Sequence, residues 1–138
     1  MKAISPRIFL ALSLTFTLTA TALPALADVV IVVNPKNPVA NMTPEQVAQY
    51  FLGKSTTFTP VDQPENSPIR AEFYKKVADK EPSQVKAIWS KLVFTGKGTL
   101  PKEYGSSAEV KKAVASDLNA IGYIEKSSVD ATVKVIAN

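Results

Sequence analysis

Positions 62 to 70, DQPENSPIR, concentrate the side chains best suited to hold an ion: Asp62, Asn66, Ser67 and Arg70. Ser67 stands directly before Pro68 at a predicted helix start, where free backbone amides and the positive end of the helix dipole favour an anion. Those amides and the Ser67 hydroxyl would do the holding, with Arg70, one turn into the helix, offsetting Asp62 and Glu65. Plainer assignments stand beside this one. Ser67 caps the helix, as serines at such positions do, and Arg70 pairs with Glu65, Glu72 or solvent.

The loop at 95–102 offers a second, weaker arrangement. Gly96 and Gly98 let the backbone approach an oxyanion, and Lys97 and Lys102 would neutralise it. Its spacing is not that of a phosphate loop, and an ordinary solvated turn accounts for the same residues. Asp62, Glu65 and Glu72 have no calcium-loop rhythm, so no metal is expected, and no cofactor. The sequence contains neither His nor Cys. That removes Ser/His/Asp triads, thiolate nucleophiles and nitrogen or sulfur ligands for zinc. No convergent carboxylate pair replaces them, and no enzyme is expected.

The elements that must position these residues are legible from periodicity and end signals. The β-branched run at 29–33, stopped by Asn34 and Pro35, predicts a strand buried on both faces. Thr43, Pro44, Glu45 and Gln46 form a capping box that opens a helix through Val47, Tyr50 and Phe51, closed by Gly53. A second strand is expected at 58–61, followed by a polar loop at 62–68. The next helix starts at Ser67 and Pro68 and sets Ile69, Phe73 and Val77 on one face. Another begins near Pro82 or Ser83, with Val85, Ile88, Trp89 and Leu92 on its buried stripe. Ser106 and Glu109 predict a second capping box, for a helix through Val110 and Val114. Strands at 120–124 and 132–136 close the chain. The order β, α, β, α, α, α, β, β points to a layered α/β domain, with no internal repeat and no interior linker.

The first 27 residues are set apart. Lys2 and Arg7 precede an apolar run from Ile8 to Leu18, and Ala25, Leu26 and Ala27 form a small-residue cleavage site: the three parts of a secretory signal peptide. Ser13, Thr15, Thr17, Thr19 and Pro24 make the segment too short and too polar to span a bilayer. The expected product is an exported periplasmic domain at 28–138, with no membrane anchor and no disulfide. Removing Lys2 and Arg7 from the formal charge of +4 leaves +2, spread among interleaved Asp and Glu. No basic stripe for nucleic acid is present.

Four strings resemble a known family in order and approximate spacing: VVIVVNPKNPV (29–39), YFLGK (50–54), PVDQPENSPIRAEFYKKV (60–77) and NAIGYIEKSSVD (119–130). They are similar to part of the periplasmic phosphate-binding proteins of ABC transporters, and most of all to the small stand-alone PstS-like proteins. The resemblance implies α/β architecture: one lobe of a type II periplasmic binding-protein fold, a mixed sheet flanked by helices. It also implies a non-catalytic binding protein for phosphate or another small oxyanion, connected with ABC-type uptake and an ABC permease partner. The implied half-site falls on the loop before the helix at Ser67. There Asp62 takes the position of a family Arg, and Glu65, Asn66, Ser67 and Pro68 take that of a Gly, Ser, Gly, Thr cluster in which only the Ser matches. Asp62 and Glu65 oppose an anion, and Pro68 removes an amide donor. The competing reading is a degenerate single lobe, without a small-molecule ligand, that binds a protein partner or forms a homodimer.

Overall fold

The computed structural model describes residues 28–138; the expected leader at 1–27 lies outside the described residues. Five strands form one mixed sheet in the order β3-β2-β4-β1-β5. Strand β1 (Val29–Val33) is buried along its whole length and lies antiparallel between β4 (Ala120–Glu125) and β5 (Lys134–Ala137). Strand β2 (Thr59–Asp62) runs parallel to β4 on one side and to the two-residue β3 (Lys102–Glu103) on the other. The parallel and antiparallel pairs together make the expected mixed α/β sheet.

Because side chains alternate across a strand, β1 and β4 each feed two cores. Val29, Ile31, Val33, Ile121 and Tyr123 face α1 (Pro44–Phe51), α2 (Pro68–Ala78) and α3 (Pro82–Phe94), and there meet Val47, Phe51, Ile69, Phe73, Tyr74, Val77, Val85 and Trp89. On the opposite face Val30, Val32, Val61, Ala120 and Ile124 pack on Val110 and Val114 of α4 (Ser107–Ser116). The predicted stripes of α2 and α4 are therefore the buried ones. On α3, Val85 and Trp89 are buried while Ile88 and Leu92 are half-buried. A Cβ at Gly122 would fall 2.8 Å from Val110 Cγ1, so this strand position needs glycine for α4 to lie against the sheet.

The end signals act as expected at α1, where Thr43 Oγ1 accepts from the Gln46 amide and Gln46 Oε1 accepts from the Thr43 amide. Gly53 follows that helix with φ of 72°, and a Cβ there would meet Leu92 of α3 at 2.7 Å. The box at α4 is offset by one residue. Ser106 Oγ accepts from the Glu109 amide at 3.2 Å, but the Glu109 carboxylate accepts from the Gly105 amide at 2.7 Å and not from that of Ser106. The loop after β1 is tied down by its asparagines: Asn34 Nδ2 donates to the carbonyls of Val114 and Ala115 at the end of α4, and Asn37 Nδ2 to that of Leu118.

Candidate functional site

Strand β2 extends one residue further than its apolar pattern indicates, and this places Asp62 in the sheet. Only 3% of Asp62 is exposed. Its Oδ2 accepts from the Tyr74 hydroxyl at 2.5 Å, and its Oδ1 accepts from the Tyr123 hydroxyl and, at 2.8 Å, from the Gln63 amide. Arg70 Nε lies 3.5 Å from Oδ1. A carboxylate in the core is tolerated only when donors and an opposite charge surround it, and here they come from the Gln63 amide just past β2, from α2 through Arg70 and Tyr74, and from β4 through Tyr123.

Aromatic rings wall this cluster off from water. Tyr123 stacks on Phe73 at a centroid distance of 3.9 Å, Phe51 packs edge-on against both, and Phe73 packs edge-on against Tyr74. The Tyr74 ring also lies 5.4 Å from the Arg70 guanidinium carbon, where its π-face favours the cation. Burial pushes both the Tyr74 and Tyr123 phenols far above the ordinary tyrosine range, and the neighbouring Asp62 charge and its hydrogen bonds add to the shift. Both stay protonated and donate. Burial is the largest single influence and works against the Arg70 charge, yet Asp62 together with Tyr74, Tyr123 and Glu103 outweighs it and the pKa rises above the usual guanidinium value.

These contacts revise the expected roles one by one. Arg70 is neither solvated nor paired with Glu65 or Glu72: it is 6% exposed and its partner is Asp62. Glu65 lies 3.5 Å from Lys86 instead. Ser67 occupies the N-cap position of α2 without capping through its side chain; its hydroxyl donates to Gln63 Oε1 at 2.9 Å, while Gln63 Nε2 donates to the Tyr123 carbonyl. With that proton committed, Ser67 Oγ is not a free donor for an anion. Asn66 sits exposed on a turn closed by the Ser67 amide to the Pro64 carbonyl. The acidic trio does not converge, and no group of three His, Cys, Asp or Glu side chains suited to a metal exists among the described residues. In the 95–102 loop Lys97 is exposed and Lys102 stands over the Tyr104 ring at 5.4 Å, so this loop forms no lysine-lined cradle.

Sequence reasoning missed Gln63, Tyr74 and Tyr123. Arg70 and Tyr74 at i, i+4 share a helix face, a signal available from spacing alone, but nothing local ties either to Tyr123.

Above this cluster an open cavity of about 450 Å³ lies between α2, α3 and the strand that follows the 95–101 loop. Arg70 lines it together with Glu65, Lys86, Glu103 and the apolar Trp89, Val93, Phe94 and Leu100. Arg70 Nε and Nη1 are shielded from solvent and have no hydrogen-bond acceptor. Glu103 lies opposite Asp62 in the β2–β3 register, so the cavity opens at the carboxyl ends of two parallel strands, where α/β sheets place ligands.

Several solved structures share the fold of this domain. The chain is similar to a protein described as a phosphate ABC transporter substrate-binding protein from Clostridium perfringens, solved with bound phosphate (TM-score 0.65, 22% identity, 80% of this chain and 44% of that one). It is also similar to an ABC-type phosphate transport receptor from Vibrio cholerae (TM-score 0.61, 25% identity, 80% and 46%) and to PstS from Borrelia burgdorferi (0.54, 14%, 80% and 47%). The chain therefore spans less than half the length of each of these proteins. No family model matches it, and neither does any curated protein. The likeness is one of fold: the described domain has the architecture of a single lobe of these substrate-binding proteins, which are named for binding and transport and not for catalysis.

Proposed function

We propose that this chain is an exported, non-catalytic solute-binding protein that takes phosphate or another small oxyanion, in connection with ABC-type uptake. The observation that carries this reading is Arg70: a buried guanidinium that lines the cavity, held in place by Asp62, 3.5 Å from its Nε, and by the Tyr74 ring, with Nη1 left without a hydrogen bond to the chain. A buried charge is tolerated when opposite charge surrounds it, and an oxyanion in the adjoining cavity adds to Asp62 as a counter-charge where Arg70 lines that cavity. The fold shared with phosphate-binding proteins supports the same chemistry. Within the site Arg70 is the ligand's cation and Asp62 the residue that positions it. Asn66 is exposed on the neighbouring turn, and Ser67 orders the loop through Gln63.

Calorimetry with phosphate and sulfate tests the proposal, using wild type and Arg70→Gln, each checked for native circular dichroism. A saturating heat in wild type that falls at least about tenfold in affinity in the variant is expected, since a charged hydrogen bond contributes more than a neutral one. Absence of binding at millimolar oxyanion in folded wild type would overturn it.

A further inference from the structure

The walls of the Arg70 cavity are not those of a site for a bare inorganic anion. Trp89, Val93, Phe94 and Leu100 line most of it, and Phe94 is 92% and Leu100 61% exposed. Large apolar side chains left so open to water at the rim of a concavity mark a surface meant to be covered. Its volume of about 450 Å³ is far more than one tetrahedral oxyanion fills and lies within the range of small-molecule sites. Trp89 is held rigidly, its indole N–H donating to the Phe51 carbonyl at 2.8 Å, so one apolar wall is preformed.

The charges around the opening are mostly paired, and Glu103 is the exposed carboxylate at its rim. Glu65 and Lys86 offset each other at 3.5 Å, and Asp62 accepts from two tyrosines and an amide besides facing Arg70. Arg70 is the buried cation that lines the cavity beside this apolar wall. A phosphate or carboxylate group suits the first, and an aromatic or alkyl substituent on that group suits the second. We infer that the cavity between α2, α3 and the 95–101 loop binds an oxyanion carrying an apolar group, a phosphate monoester or a comparable organic anion, with the charged end on Arg70 and the apolar end against Trp89, Phe94 and Leu100. This rests on the oxyanion reading above and narrows its substrate class.

Trp89 is the only tryptophan of the chain, so its emission reports on this cavity alone. Wild type and the surface double variant Phe94→Ser with Leu100→Ser are titrated with inorganic phosphate, phenyl phosphate and neutral benzyl alcohol, following Trp89 emission and heat in parallel. The inference expects phenyl phosphate to bind at least about tenfold tighter than phosphate in wild type, from the apolar area it covers. It expects a change in Trp89 emission, and a ratio that shrinks to about twofold in the double variant. Equal affinities for phosphate and phenyl phosphate overturn the inference and leave the oxyanion reading standing. Benzyl alcohol binding as tightly as phenyl phosphate overturns the role of Arg70 and both readings with it, as does a failure of all three ligands to bind folded protein.

Discussion

Asp62 accepts from Tyr74, Tyr123 and Gln63 in a space closed by aromatic rings, and it is the anion facing Arg70. Replacing it by Asn keeps the volume but leaves a buried guanidinium without its counter-charge. Asp62→Asn is expected to lose about 3–5 kcal/mol in denaturant unfolding, the range for breaking a buried pair on one side only. The tyrosines set a pH limit of their own. Their folded pKa values lie above the unfolded value of 10.0, so the stability they confer is complete below pH 10. It is lost as pH rises beyond that, because the unfolded chain can release those protons and the folded chain cannot. Unfolding free energy measured across the alkaline range should fall above about pH 10, and more shallowly in Tyr74→Phe with Tyr123→Phe. Glu103, exposed at the cavity, opposes an anion on Arg70. Glu103→Gln should tighten phosphate binding, and a variant that weakens it would argue for a cationic ligand instead.

The two cores on the faces of the sheet depend on different fits. On the three-helix side Phe73 is fully buried among Phe51, Tyr74 and Tyr123. Phe73→Ala should cost about 3–5 kcal/mol, lost transfer energy plus the cavity left behind; a loss under about 1 kcal/mol would mean that the helix face is misassigned. On the α4 side close approach matters more than bulk. Gly122→Ala puts a methyl 2.8 Å from Val110 Cγ1 and 3.2 Å from Val114 Cγ2, and overpacking of that kind costs about 1–3 kcal/mol. Combining it with Val110→Ala should recover part of the loss, an interaction that a double-mutant cycle isolates. These elements were readable before the fold was known because their signals are local: the β-branched run of β1, the Thr43 box and the Pro residues opening α1, α2 and α3. The offset at α4 was not, since Glu109 had two amides within reach and neighbouring backbone decided between them.

At the scale of the whole molecule the described domain has the architecture of one lobe, in a chain spanning less than half the length of the proteins it resembles. No helix among the described residues is long and apolar enough to cross a membrane. The export proposal predicts a periplasmic protein whose mass corresponds to a chain beginning at Asp28; a product retaining Lys2 or Arg7 would refute it. From the sequence alone came the α/β class, the order of the main elements, the apolar faces and the lack of His and Cys chemistry, because composition and periodicity act within a few residues. The strings flanking Asp62 and Tyr123 also pointed to the right fold. Only the tertiary structure decided that Asp62 belongs to a strand and not to a polar loop, and that Arg70 is buried. It also brought Tyr123, 61 positions away, onto the same carboxylate. The physical reason is that a charge's state depends on what surrounds it in space: a local reading gives an Arg on a helix its solvent, while the packing of α2 across the end of β2 and β4 replaces that solvent with Asp62 and two phenols, and leaves part of the guanidinium facing a cavity.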